Sequence, residues 1–261
     1  ARPSPLPPMT APDSQAPSAS IERSLRGRTA LVTGGSRGIG AAFVRALAAA
    51  GCDVAVGYRG DDGAAQATVA AAQAHGVRAI AVRGDVTAAG DVDRLCTEVE
   101  STLGAPTLLV HSAGFAERRT IEETTLDDWT RTIDRNLTGT FLVVQRVLPA
   151  MRATGFGRIL LVSSVAAAIG GGVSLAYAAS KAGQLGLAAF IARRVLADGV
   201  TVNAILPGAV DTDMLRDLAP AGTPPIGRPG TPEEVAQLGV AMLANGFMTG
   251  QAVHLNGGMF P

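Results

Sequence analysis

The sequence predicts an α/β fold of doubly wound type, in which a seven-stranded parallel sheet lies between two layers of helices. The chain has 261 residues, 47% of them hydrophobic, which is enough apolar material for one substantial core. From residue 28 onward, short runs rich in β-branched residues alternate with longer alanine-rich stretches. The short runs are almost continuously apolar, as strands buried on both faces are. Repeated strand and helix units therefore indicate a parallel sheet covered on both sides.

Each element follows from these patterns in order. The seven predicted strands are the runs TALVTG, DVAVGY, AIAVRGDV, TLLVHSAG, RILLVSS, VTVNAILPG and AVHLNG. Amphipathic stretches between them predict helices at about residues 38–50, 63–75, 90–103, 126–153, 175–198 and 231–245. Ligands of such sheets bind beyond the carboxyl ends of the strands, so we expect the functional residues there.

Composition argues against several classes of function. Lys plus Arg and Asp plus Glu both number 22, so no net charge attracts nucleic acid or an anionic membrane. No apolar run approaches the roughly 20 residues that span a bilayer. Cys52 and Cys96 lack the spacing of metal ligands, so we expect packed thiols and no bound metal. The expected protein is cytoplasmic, with neither nucleic acid nor membrane as partner.

The chain divides into an arm and one domain. Residues 1–20 contain six prolines and almost no large apolar side chains, so residues 1–25 are predicted to be a flexible N-terminal arm. Residues 26–261 hold all the predicted strands and helices and form the single predicted domain.

A glycine-rich turn joins the first strand to the first helix. In TGGSRGIG, Gly34, Gly38 and Gly40 allow a tight turn and a close approach of backbone to a pyrophosphate. The N-terminus of the helix that follows offers unpaired N–H groups to the anion. The spacing is T-G-x-x-x-G-x-G, and with Ser36 and Ile39 this loop is the predicted phosphate site of a dinucleotide cofactor.

The charge at the end of the second strand indicates which dinucleotide binds. An NAD-binding fold usually places an acidic residue there, about 20 residues after the glycines, against the ribose hydroxyl. This chain instead has Tyr58 and Arg59, and Arg37 lies within the glycine loop. Two guanidinium groups suit a 2′-phosphate, so the predicted cofactor is NADP(H).

The segment SLAYAASKAG carries one phenol and one ammonium among small side chains. Tyr177 and Lys181 are four residues apart, so they share one face of a helix. A free tyrosine has a pKa of about 10, too high for acid or base work near neutrality. A neighbouring ammonium favours the phenolate, and we therefore expect Lys181 to lower the pKa of Tyr177.

Several ordered motifs together resemble the single-domain short-chain dehydrogenase/reductase family. They are the glycine loop, Asn136 in DRNLTG, Ser164 in LLVSS, the segment YAASK, and PGAVDTDM, and the likeness covers about residues 26–261. The resemblance implies a Rossmann fold and a catalytic set of Asn136, Ser164, Tyr177 and Lys181. In this set Tyr177 is the general acid, Ser164 polarises the carbonyl oxygen, Lys181 binds the nicotinamide ribose, and Asn136 holds a water linking Lys181 to solvent.

The same resemblance implies the remaining cofactor contacts and the assembly. Asp85 and Val86 match the segment beside the adenine, and Ala113 and Gly114 leave room for the cofactor. The segment that positions the nicotinamide is matched by Pro207, Gly208, Val210 and Thr212. The implied assembly is a homotetramer or a homodimer.

Two departures from the family pattern bear on stability and substrate. His111 stands in HSAG where an asparagine is common, and we interpret it as a hydrogen-bonded structural histidine. The segment from Met214 to Pro229, which would cover the substrate, looks short and proline-rich, which leaves a more open pocket.

The C-terminal MTGQAVHLNGGMF resembles β-ketoacyl carrier-protein reductases, which suggests a 3-oxoacyl thioester substrate. Against a carrier-linked substrate, Gly155 and Asp198 stand where those enzymes have basic docking positions, although four arginines lie nearby in the sequence, Arg152, Arg158, Arg193 and Arg194. The sequence therefore predicts an NADPH-dependent reductase of a ketone, free or carrier-linked. Two alternatives stay open: an NAD(P)-linked secondary alcohol or polyol dehydrogenase, and a non-catalytic dinucleotide-sensing binding protein.

Overall fold

The computed structural model describes residues 24–218 and 223–260, so most of the predicted arm and part of the predicted substrate cover, residues 219–222, lie outside the described residues. The seven predicted strands are confirmed, and they form one parallel sheet in the order β3-β2-β1-β4-β5-β6-β7. Their bounds are β1 Thr29–Thr33, β2 Asp53–Tyr58, β3 Ala79–Arg83, β4 Leu108–His111, β5 Gly157–Val162, β6 Val200–Pro207 and β7 Ala252–Leu255.

Helices cover both faces of the sheet. They are α1 Gly38–Ala49, α2 Asp62–Gln73, α3 Ala89–Leu103, α4 Leu126–Ile133, α5 Gly139–Ala153, α6 Ala166–Ile169, α7 Leu175–Arg194, α8 Asp213–Leu218 and α9 Pro232–Ala244. One apolar core joins the sheet to α1, α2 and α9, and a second joins it to α3, α5 and α7. Two separate cores on one sheet are what a doubly wound single domain requires, so the predicted fold class is confirmed.

The strand order determines where a ligand-binding crevice opens along the sheet. The chain runs outward from β1 to β3, then crosses back to β4 on the other side of β1. At this reversal the loops after β1 and β4 diverge, and a crevice opens at the carboxyl ends of both strands.

The predicted helix over residues 126–153 is interrupted. Helix α4 begins with a capping box of Thr125 and Asp128, and a π-helical segment, Asp134–Thr138, separates it from α5. Asn136 lies in this segment, so the polar amide inside a helical pattern marks a change of helix geometry. The predicted helix over residues 175–198 also ends early, because α7 stops at Arg194 and a 3₁₀ turn follows at Leu196–Asp198.

Within the described residues no helix is both long and apolar enough to cross a membrane. Cys52 and Cys96 are buried free thiols, as the sequence predicts. The described part of the chain contains no cluster of metal-ligating side chains.

Candidate active site

A cavity of about 880 Å³ opens at the carboxyl ends of the central strands. It brings together most of the predicted cofactor residues, namely Gly34, Ser36, Arg37, Gly38, Ile39, Gly40, Tyr58, Arg59, Asp85, Val86, Ala113, Gly114, Tyr177, Lys181 and Thr212. Pro207, Gly208 and Val210 do not line it. Pro207 ends β6, Gly208 packs against Asn256, and Val210 is buried beside Gly230. Asn136 and Ser164 do not line it, but Asn136 accepts a hydrogen bond from Phe115 and Ser164 lies beside Tyr177, and both of these partners do line it.

The glycine loop is as tightly packed as the sequence predicts. Gly34 has φ +66°, and a Cβ there would lie 2.8 Å from the backbone of Ala113. A Cβ on Gly40 would lie 2.1 Å from the carbonyl oxygen of Gly34, a distance that no side chain allows. Both positions therefore require glycine, and the first turn of α1 is held directly against the end of β1.

The N-terminus of α1 faces this cavity without a side-chain cap. Arg37 occupies the N-cap position and its side chain makes no capping hydrogen bond, whereas Asp61, Thr125 and Thr231 cap α2, α4 and α9. The first N–H groups of α1 are thus left for an anion, and the helix dipole adds partial positive charge there. These residues fit the pyrophosphate of a dinucleotide.

The far end of the cavity carries the charged groups predicted to select the cofactor. The Arg59 guanidinium lies 3.8 Å from the Asp85 carboxylate, and Arg37 lies 4.0 Å from Asp213 on α8. Each of these arginines therefore has a carboxylate of its own nearby. Hydrogen bonding to Asp62 raises the pKa of the Tyr58 phenol.

A third arginine lines this end of the cavity, and sequence reasoning missed it. Arg135, in the π-helical segment, lies over the ring of Phe115 with its guanidinium carbon 4.5 Å from the ring centroid. Burial, followed by the charge of Arg59, lowers its pKa. Within the described chain no carboxylate forms an ion pair with Arg135, in contrast to Arg59 and Arg37. A half-buried cation of this kind suits an anionic ligand.

Tyr177 places its phenol inside the cavity. The residue is buried, and Ser174 caps the start of α7 by accepting a hydrogen bond from the Tyr177 N–H. Burial raises the pKa of the phenol, and a hydrogen bond between the Tyr177 and Ser164 side chains opposes that rise. The pKa of the Tyr177 phenol is therefore raised, not lowered as the sequence predicts, because burial outweighs the other influences on it.

Lys181 follows Tyr177 by one turn and points into the same site. Its ammonium lies 5.8 Å from the centroid of the Tyr177 ring and donates a hydrogen bond to the Val162 carbonyl over 2.9 Å. Burial lowers the pKa of Lys181 to about 8. The hydroxyl of Ser163 donates to the Lys181 carbonyl over 2.9 Å, so Ser163 holds the helix to β5 and leaves Ser164 to face Tyr177.

Both polar atoms of the Asn136 side chain form hydrogen bonds within the protein. Its Oδ1 accepts from the Phe115 N–H over 2.7 Å, and its Nδ2 donates to the Phe115 carbonyl and to Ser180. The Asn136 carbonyl accepts from Gln184 over 3.0 Å and from Thr140 over 2.6 Å. A carbonyl oxygen has two lone pairs, so the Gln184 and Thr140 side chains occupy both acceptor positions of the Asn136 carbonyl.

His111 lies beneath the site at the end of β4. Its Nδ1 and the Thr33 hydroxyl are 2.9 Å apart, so the expected hydrogen-bonded structural role is confirmed. Burial, reinforced by the charge of Lys181, lowers the pKa of His111 to about 3, so the ring is neutral. Its Nε2 has no partner among the described residues.

Comparison with known proteins agrees with this geometry. The family model described as "short chain dehydrogenase" matches residues 28–222. A 3-oxoacyl-[acyl-carrier-protein] reductase from Synechocystis sp. is 39% identical over 242 residues, covering 90% of this chain and 98% of the relative. An acetoacetyl-CoA reductase from Shinella zoogloeoides is 39% identical over 243 residues, covering 89% of this chain and 98% of the relative.

Solved structures give the same result. A short-chain dehydrogenase/reductase from Serratia marcescens superimposes with a TM-score of 0.83 at 33% identity, covering 90% of this chain and 98% of its own. The sequence, the sheet order and these matches agree, and the chain belongs to the short-chain dehydrogenase/reductase family.

Proposed function

We propose that the chain is an NADPH-dependent ketoreductase in which Tyr177 is the general acid. The observation that carries this proposal is the buried phenol of Tyr177, which shares a cavity with an uncapped helix N-terminus and with the ammonium of Lys181. When bound, NADPH supplies the hydride. Its pyrophosphate fits the N-terminus of α1, and its adenine end fits the side of the cavity lined by Arg59 and Arg135.

The surroundings of Tyr177 favour proton donation by its phenol. Burial keeps the phenol protonated, which is the state that a reductase needs before it transfers a proton to a carbonyl oxygen. The Ser164 hydroxyl, beside Tyr177, offers a second polar group to the same oxygen. The charge of Lys181 then stabilises the phenolate that remains after proton transfer.

The names of relatives and the surface charge support a substrate class. The relatives named above are reductases of 3-oxoacyl thioesters, so we propose a 3-oxoacyl thioester for this chain. On the surface, Arg152 lies 2.7 Å from Asp198, and Arg158 packs on Phe156 and donates to the Gly199 carbonyl. Because these arginines already have partners, they add little to docking an acidic carrier protein, and a coenzyme A thioester is the better candidate.

Measuring NADPH oxidation tests this function. The panel contains acetoacetyl-CoA, a carrier-linked acetoacetyl thioester, a cyclic diketone, an aryl ketone and, in the oxidative direction with NADP⁺, a secondary alcohol and a polyol. We expect acetoacetyl-CoA to give the highest kcat/KM and Tyr177→Phe to lower kcat by about 10²- to 10⁴-fold with little change in NADPH affinity. Full turnover in Tyr177→Phe would refute the mechanism, and cofactor binding without turnover across the panel would favour the dinucleotide sensor.

We further propose that the protein is a cytoplasmic homotetramer or homodimer. Several large apolar side chains are exposed on the single chain, among them Phe141, Phe190 and Leu196. Such side chains gain from burial against another copy. Light scattering at micromolar concentration should give a multiple of the chain mass, and a monomer would contradict the assembly.

A further inference from the structure

Gln184 is a buried polar residue that the proposed reaction does not yet use. It lies on α7 one turn beyond Lys181, and its side chain is fully buried. Its Oε1 accepts a hydrogen bond from the Lys181 ammonium over 3.4 Å. Its Nε2 donates to the Asn136 carbonyl over 3.0 Å and to the Thr140 hydroxyl over 2.8 Å. One side chain thus joins two residues of the predicted catalytic set.

Burial of the Gln184 amide removes it from water, and its hydrogen bonds within the protein offset that unfavourable step. Removing an amide from water without replacing its hydrogen bonds is unfavourable. Here the oxygen and the nitrogen of Gln184 both have partners, and each partner is also buried. A satisfied buried network of this kind holds its members in one arrangement. The arrangement held here is the position of the Lys181 ammonium.

The surroundings of Lys181 leave Gln184 as its only side-chain hydrogen-bond acceptor within the described chain. The main-chain carbonyl of Val162 is its other acceptor, and no carboxylate forms an ion pair with it there. Two titratable groups face it: Tyr177 on the same helix, and His111 from β4, which burial keeps neutral. A buried ammonium without a counter-ion depends strongly on each acceptor that it has.

Gln184 also takes up an acceptor, the Asn136 carbonyl, at which a water could otherwise bind. The Asn136 carbonyl takes the Gln184 amide and the Thr140 hydroxyl, which fills both of its lone pairs. A water at that carbonyl could pass a proton toward Lys181, whereas an amide nitrogen keeps its hydrogens under these conditions. A proton that reaches Tyr177 must then come from the side of the cofactor cavity.

We propose that Gln184 is a positioning residue for the Tyr177 and Lys181 pair, an inference that rests on the proposed function. Its oxygen holds the charged ammonium of Lys181 beside Tyr177, and its nitrogen closes the Asn136 carbonyl to water.

The composition of the chain makes a direct test available. Lys181 is the only lysine in the sequence, and Tyr58 and Tyr177 are the only tyrosines. NMR of protein labelled at lysine Nζ therefore gives one side-chain ammonium signal, whose pH titration reports Lys181 in the cofactor-free protein. In a Tyr58→Phe background, ultraviolet difference absorbance reports the ionisation of Tyr177 alone.

Two variants separate the two contacts of Gln184. Gln184→Met removes acceptor and donor at nearly constant volume, and it should lower the pKa of Lys181 by about one unit or more, because a hydrogen bond to a charged group is lost. Gln184→Glu keeps an acceptor for the ammonium and should raise that pKa above the wild-type value. The matched control is Gln145→Met, at an exposed position on α5, which should change neither titration.

These experiments distinguish a failure of the Gln184 inference from a failure of the proposed function. Folded Gln184 variants with wild-type titrations of Lys181 and Tyr177 would overturn the inference, even if wild-type reductase activity is high. If the wild type is active, the alkaline limb of the pH profile of kcat should lie at lower pH in Gln184→Met than in the wild type. The difference should equal the shift in pKa that NMR measures. A high-resolution crystal structure should show no water bound to the Asn136 carbonyl, and a water bridging it to Lys181 would contradict the second contact. A wild type that reduces no ketone would refute the proposed function instead.

Discussion

The hydroxyl of Ser163 donates to the main-chain carbonyl of Lys181 over 2.9 Å, and this bond ties the middle of α7 to the end of β5. The side chain of the next residue, Ser164, accepts a hydrogen bond from the Ala166 N–H over 3.1 Å and lies close enough to Tyr177 to lower the pKa of its phenol. The two adjacent serines therefore have different roles: Ser163 holds the main chain of α7 in place, and Ser164 lies beside the phenol of Tyr177.

The first prediction compares these two serines. Ser163→Ala should lower the free energy of unfolding by about 1 kcal/mol, since one buried hydrogen bond is lost, and should change kcat by only a few-fold. Ser164→Ala should lower kcat by about 10²-fold or more, since a group at the carbonyl oxygen is lost. Urea unfolding and ketone reduction measure both. Equal kinetic losses in the two variants would contradict the assignment of Ser164.

The second prediction concerns Arg135. If its guanidinium binds the 2′-phosphate with Arg59, Arg135→Ala should raise the Kd of NADPH by about 10-fold or more, because a charge-assisted hydrogen bond is lost. The Kd of NADH should change much less. Fluorescence titration with both cofactors measures this, with Arg118→Ala as the control at an exposed arginine outside the cavity. Equal weakening for both cofactors would place Arg135 at the adenine or the pyrophosphate instead.

The third prediction concerns the effect of acid on His111. Its pKa falls from 6.5 to about 3 on folding, so between these values the unfolded chain binds a proton that the folded chain does not. The contribution of neutral His111 to the free energy of unfolding is fully present above about pH 6.5. It is lost as the pH falls below that value, by at most about 1.4 kcal/mol per pH unit. Urea unfolding of His111→Asn from about pH 7 to about pH 5 should therefore show a smaller loss than the wild type. His75→Asn is the control at an exposed histidine, and identical curves for wild type and His111→Asn would reject the effect.

The fourth prediction concerns the packing of the glycine loop. Gly40→Ala puts a methyl group 2.1 Å from the Gly34 carbonyl oxygen, so the loop must move and NADPH binding should fall by at least about 10-fold. Gly63→Ala, in an open position on α2, should instead raise stability by about 0.5–1 kcal/mol. Thermal unfolding and fluorescence titration compare the two. A Gly40→Ala protein with wild-type affinity would show that the close contact is not needed.

The sequence predicts the sheet well because strands buried on both faces leave a strong apolar signal. It places the ends of several strands too late, however. The predicted strand AIAVRGDV, for example, extends past Arg83, where β3 ends. The strand stops there because Gly84 and Asp85 turn away, with their N–H groups hydrogen-bonded to Tyr58 and Asp91. Small and apolar residues continue into the loops that line the cavity, so composition alone does not separate strand from site.

The residues that sequence reasoning missed depend on contacts between distant elements. Gln184 looks like a polar interruption on a helix until α7 packs against the π-helical segment, 48 residues earlier in the chain. Arg135 lies directly beside Asn136 in the sequence, and it lines the cavity from the π-helical segment, which the sequence does not predict. A polar residue on an otherwise apolar helix face was the one available signal for Gln184.

The single lysine is 4% exposed, and every other basic side chain of the chain, histidine aside, is a guanidinium. The folded protein therefore presents almost no side-chain amine to acylating reagents, cross-linkers or coupling resins. Because Lys181 lines the cavity, a reagent must enter the cavity to modify it, so the rate of amine labelling measures how accessible the cavity is.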